Sequence, residues 1–136
     1  MEISTFDDLL RLALEQASLQ RLLLVFCKAE LPEDATAQQQ AEYDAGEGGV
    51  LVPVASVDKF PEMLASFTEL NTEAEQQGIE WDVLFVAAMD REATEGPDQT
   101  AAVDQTLEAM VSAIKAGQVE SFVPFDPSGT VLALGD

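Results

Sequence analysis

Two uninterrupted apolar runs, Leu22–Cys27 and Val83–Met89, constrain this chain more than any other feature. Each is far shorter than the roughly 20 apolar residues a transmembrane helix needs. A short run without polar alternation fits a strand covered on both faces, so Val83–Met89 is predicted to be the central strand of a sheet. Leu22–Cys27 is expected to be a second buried strand, with a short core helix left open because periodicity alone does not separate the two. Such strands require layers of other structure above and below them.

The intervening sequence supplies those layers. Phe6, Leu9, Leu10, Ala13 and Ala17 recur at helical spacing behind Ser4 or Thr5, and the pair Ser4 and Asp7 has the pattern of a capping box. In PEDATAQQQAEYDAGEGG, Asp34 suits the cap of a short polar helix, and the glycines end it. VLVPVASV follows as a strand, and Pro53, which lacks a backbone donor, favours an edge or an irregular strand. Asp58 and Pro61 then mark a helix start, with Met63 or Leu64, Phe67, Leu70 and Ala74 on the apolar face and Gly78 interrupting it. A last helix carries Val103, Leu107, Met110, Val111 and Ile114, and Gly117 is placed to stop it. The segments VESFVPF, DPSG and TVLAL predict a hairpin around a type I turn, in which Asp126, Pro127 and Gly129 suit the first, second and last positions. Pro124 keeps this part edge-like. Residues 1–136 are therefore expected to form a single compact α/β domain, a mixed sheet flanked by helices with a C-terminal β-hairpin.

Composition limits function. Against 26 acidic residues stand 6 basic ones and no histidine, a formal net charge of -20 at pH 7. Hydrophobic residues make up 47% of the chain, enough apolar surface to favour a folded domain over a disordered acidic segment. The charge disfavours binding to nucleic acid or to an anionic membrane surface, since both recruit cationic groups that displace counterions. Without histidine, Ser-His-Asp and Cys-His catalysis and HExxH metal chemistry are excluded. Cys27 is the only cysteine, which precludes an intramolecular disulfide, and its apolar setting favours a packed thiol over a nucleophile. AGEGGV lacks the spacing of a dinucleotide loop, and no segment has the ligand spacing of a calcium or zinc site, so neither a cofactor nor a metal is expected. The opening MEISTFDDLL carries acids where a secretory signal needs positive charge, and a cytoplasmic location is expected.

The scarce cations are the more discriminating pattern. Lys28, Lys59 and Arg91 each follow one of the three main proposed strands. In a parallel sheet these exits would share one edge, where open α/β folds form ligand crevices. The expectation is a small anion-binding site of Lys28, Lys59 and Arg91 assisted by Asp58 and Asp90, against the alternative that each cation pairs locally with an abundant carboxylate. Trp81, Phe122 and Phe125 suit either the core or an exposed partner surface, and a flat hairpin edge would allow pairing with a second copy as a homodimer.

Taken together, CKAELP, GEGGVLVPVASVDKFPE, SFTEL and GIEWDVLFVAAM resemble a family of small uncharacterised bacterial α/β proteins, some members of which carry a ribonucleotide reductase alpha-subunit label. The resemblance implies a small bacterial α/β domain over most of the chain and no known reaction. The reductase label does not suit these residues, because one cysteine cannot supply several redox thiols and 136 residues cannot form a large catalytic barrel. The functional expectation is a protein-interaction or weak small-ligand-binding domain. The alternative is a carboxylate-dependent hydrolase or transferase for an anionic substrate, with Asp58 or Asp90 as base and Lys28, Lys59 or Arg91 as anion stabilisers.

Overall fold

Both apolar runs are strands, and they lie side by side in the middle of one sheet. The structure, a computed structural model, describes residues 3–16, 20–30, 36–44, 50–64, 66–90, 99–116, 118–119 and 121–132. The elements run α1 (Phe6–Leu14), β1 (Gln20–Glu30), α2 (Ala37–Asp44), β2 (Val50–Lys59), α3 (Phe67–Gln76), β3 (Val83–Asp90), α4 (Gln99–Lys115) and β4 (Val123–Phe125). Strand order is β2-β1-β3-β4, and each neighbouring pair is antiparallel. The α/β class stands, but the described sheet is antiparallel throughout rather than mixed, and that direction of pairing proves decisive for the site.

Side-chain alternation divides the sheet between two cores. Leu22, Leu24 and Phe26 of β1 join Leu84 and Val86 of β3 against α1 and α3. On the other face, Leu23, Val25 and Cys27 join Val83 and Phe85 against Val103, Leu107, Met110 and Ile114 of α4. The result is three layers. The α4 stripe matches its sequence spacing, with Val111 half-buried at the margin. Among the described residues no helix is long and apolar enough to cross a membrane.

Local signals set the helix ends, in places one step from where the sequence suggests. The cap of α1 is Thr5, whose Oγ1 accepts the Asp8 N–H while Asp8 Oδ2 accepts the Thr5 N–H, each at 3.2 Å. The Ser4 N–H, followed by the Thr5 groups, holds the Asp8 carboxyl below its ordinary pKa. This leaves Asp7 free to accept the Phe67 N–H at 2.8 Å, so an acid on α1 satisfies an orphan donor at the start of α3. Pro61 opens only a 3-10 turn, Pro61–Met63, and α3 starts later behind Ser66. Leu64 is therefore the buried residue of the Met63/Leu64 alternative, and Met63 is 71% exposed. Gly78, at φ +73°, ends α3, and the Ile79 N–H donates back to the Ala74 carbonyl at 3.0 Å.

The C-terminal region is more abbreviated than a full hairpin. β4 has three residues, and beyond the turn the described residues form isolated bridges, Phe125 with Val131 and Thr5 with Thr130. The turn closes with the Gly129 N–H donating to the Asp126 carbonyl at 2.9 Å, and Asp126 Oδ1 accepts the Ser128 hydroxyl and the Ser128 and Thr130 N–H groups. These bonds, the Ser128 hydroxyl foremost, lower the Asp126 pKa. Gly129 is required twice over: its φ is +85°, and a Cβ there would lie 2.8 Å from Phe67 Cδ2. The position of Asp34, Ala17 and Gly117 lies outside the described residues.

Candidate functional site

The antiparallel pairing separates the cations that a parallel sheet would have gathered. Lys28 lies opposite Val52 on β2, and Lys59 lies opposite Leu22, near the other end of β1. Six residues of β1 separate Lys28 from Leu22, and at about 3.3 Å each they put the two lysine backbones roughly 20 Å apart. Each lysine has taken the local option: Lys28 Nζ donates to Glu80 Oε2 at 3.3 Å, and Lys59 Nζ to Glu73 Oε1 at 2.6 Å. Asp90 ends β3 opposite Gln20, at the same end of the sheet as Asp58 and Lys59 but with β1 between them. Arg91 lies outside the described residues. The crevice drawn from parallel exits is thus corrected: Lys28 and Lys59 belong to opposite ends of the sheet.

Asp58 is held by Arg21, a residue that no sequence motif marks. Its Oδ2 accepts from Arg21 Nη1 at 2.6 Å. Arg21 shares the α4-facing side of β1 with Leu23, Val25 and Cys27, and its cross-strand geometry brings it to Asp58, which pairs in register with Leu23. The guanidinium lies 4.7 Å from the Phe60 ring centroid, and Arg21 is only 8% exposed. Its Nε is buried with no hydrogen-bond partner. This makes Asp58 the counter-ion of a nearly buried cation rather than an available general base.

Beside this pair opens a groove of about 790 Å³ between the end of β2 and α4. Ser56, Val57, Asp58 and Lys59 form one wall; Asp104, Leu107, Glu108, Val111 and Ser112 form the other. Asp104, Glu108 and Ser112 recur every four residues and so make one exposed ridge along α4, next to the Leu107 and Val111 row that turns inward. The groove therefore has an apolar floor and an acidic rim. Among the described lining residues the one cation is Lys59, which points to the α3 side, where it meets Glu73. The carboxylates are strung along the groove rather than focused: among the described residues no three His, Cys, Asp or Glu side chains converge to hold a metal ion.

Asp104 and Glu108 were present in the sequence as two of 26 acids, with nothing to select them until the fold set β2 beside α4. Like charges four residues apart on a helix cost about 0.2–0.5 kcal/mol. The aromatics mostly serve the core: Phe125 is fully buried, Trp81 packs half-buried against Phe26 and Phe67, and Phe122 lies half-buried against Phe85.

Cys27 is fully buried in the α4-side core, and burial pushes its thiol pKa up to about 12. The thiolate is the reactive form, so at pH 8 native protein should alkylate with iodoacetamide about a thousandfold more slowly than urea-unfolded protein, whose thiol returns to about 8.5. Equal rates in the two states, measured by mass spectrometry, would contradict this burial. Because the folded pKa is the raised one, this group's contribution to stability is complete below about pH 8.5 and declines as pH rises toward 12.

Comparison with protein-family models, curated proteins and solved structures gives no match. The site therefore stands on its own geometry.

Proposed function

We propose that this chain is a protein-interaction domain whose β2–α4 groove receives a cationic segment of its partner. The observation that carries this reading is the groove itself: an apolar floor of Leu107 and Val111 beneath Asp58, Asp104 and Glu108, with Lys59 of its wall committed to Glu73. A ligand with positively charged ends on apolar stems complements both parts, as Lys and Arg side chains do. The anionic ligand expected from the sequence would meet this acidic rim with repulsion. Spreading of the carboxylates along the groove favours a polycation over a single metal ion.

The test must separate the groove from the general attraction of a chain with a net charge of -20. Binding of a Lys-Val-Lys-Val-Lys-Val peptide is measured by calorimetry at about 0.15 M salt, where longer-range attraction is screened beyond roughly 8 Å. The D104N/E108Q variant is expected to bind at least about fivefold more weakly, from two rim charges worth several tenths of a kcal/mol each. The E15Q/E75Q variant removes two exposed acids, one at the C-terminal cap of α1 and one on α3, across the sheet, and should change affinity less than about twofold. Equal weakening by the two variants would reduce the effect to net charge and overturn the assignment.

A further inference from the structure

The wall of the groove is also the end of the sheet. β2 is the terminal strand, and among the described residues no backbone hydrogen bond joins Ala55–Asp58 to anything except β1. In an antiparallel ladder alternate residues of an edge strand turn their N–H and C=O groups outward, where they form a template for another strand.

That template is confined to one half of β2. The register steps from Phe26 opposite Ala55 to Cys27 opposite Pro53, leaving Val54 as the extra residue of a bulge. Val54 is 46% exposed, and Pro53 has no donor to offer. Bulge and proline together blunt the first half of the edge. From Ala55 to Asp58 the register with Phe26 to Leu23 is unbroken, and Ser56–Lys59 is the stretch that lines the groove.

We infer that the cationic partner segment binds as an extended strand added to the Ala55–Asp58 edge of β2, an inference that rests on the groove assignment above. An added strand sends alternate side chains to the two faces of the sheet, so every second residue enters the groove beside Ser56 and Asp58. Alternate residues on a strand are about 6.6 Å apart, and Asp104 and Glu108 are about 6 Å apart along α4. Successive groove-facing cations therefore meet successive carboxylates. The intervening residues fall on the α3 side, next to Val57. The occupant is a protein segment with Lys or Arg at every second position. Charge complementarity favours it over a second copy, which would bring another -20 to the same edge.

The experiment compares three forms of the Lys-Val-Lys-Val-Lys-Val peptide on the full chain: unmodified, N-methylated at the lysines and N-methylated at the valines. Only one set of amides in an added strand faces β2, so one methylation pattern is expected to weaken binding about tenfold or more while the other stays within about twofold. Hydrogen exchange by NMR should show new protection of outward amides within Ala55–Asp58 when the unmodified peptide is bound. Equal effects of the two methylation patterns overturn strand addition while leaving the groove assignment intact. Absence of binding by the unmodified peptide overturns the groove assignment itself. Edge protection without peptide, with a doubled mass in solution, overturns the inference in favour of a second copy.

Discussion

Replacing Phe6 by alanine is expected to lower unfolding free energy by about 3–5 kcal/mol, read from the urea midpoint at constant slope. Domains of this kind are stable by only about 5–15 kcal/mol, so the loss is a large fraction of the total. Phe6 is fully buried, and its ring lies 5.7 Å from Phe67 and 5.5 Å from Phe125. It joins α1, α3 and β4 in one contact, while its N–H donates to the Gly129 carbonyl at 2.8 Å. Truncation leaves a cavity whose lining comes from three separate elements, which limits relaxation into it. Phe122, half-buried with its ring 6.4 Å from Phe85, provides the comparison: its alanine variant should lose less than half as much. Where Phe6→Ala does not fold, Phe6→Leu keeps most of the apolar volume, and a loss of about 1–2 kcal/mol remains measurable. A Phe6 effect no larger than that of Phe122 would contradict the central position of this ring.

The second large effect is asymmetric. Asp58→Ala is expected to cost about 2–4 kcal/mol, because it strips the counter-ion from Arg21, which is 8% exposed. The expected loss stays below that of a fully buried pair because Asp58 retains solvent contact, with a side chain 38% exposed. Arg21→Met should instead fall within about 1 kcal/mol of the parent or stabilise it, since a flexible apolar side chain removes the buried charge. It also removes the orphaned Nε donor, a group whose desolvation costs about 1–3 kcal/mol when unsatisfied. Thermal or urea unfolding of the two variants tests the claim, and equal destabilisation by both would sink it. The same asymmetry explains why Asp104 and Glu108, exposed on α4, are the better probes of binding: removing them leaves no buried partner behind.

The elements themselves were legible because their signals are local. The Leu22–Cys27 and Val83–Met89 runs mark buried strands, and the α4 stripe from Val103 to Ile114 shows the helical period directly. Pro53 correctly marked an edge. Direction of pairing leaves no such trace: alternation assigns a residue to a face but is the same for a strand running either way. Lys28 and Lys59 therefore looked equivalent, and the antiparallel β1–β2 pair puts them at opposite ends. Helix starts shifted by small steps where several residues compete for one role, as Ser4 and Thr5 do for the cap of α1. Arg21 was obscure for another reason: a cation bordering an apolar run ordinarily marks its exit into solvent, and only the Asp58 and Phe60 side chains across the strand make it an interior group.

The two cores are not independent, because β1 and β3 are their common wall. Leu22, Leu24 and Phe26 serve one layer while the residues between them serve the other, and β3 repeats the division with Leu84 and Val86 against Val83 and Phe85. Peeling α4 away would expose half the side chains of both central strands, and losing α1 and α3 would expose the other half. Neither layer can melt while leaving its neighbour's wall intact. The sheet is thus the mechanical link between the described layers, and a single cooperative urea transition seen by every probe is the expected result.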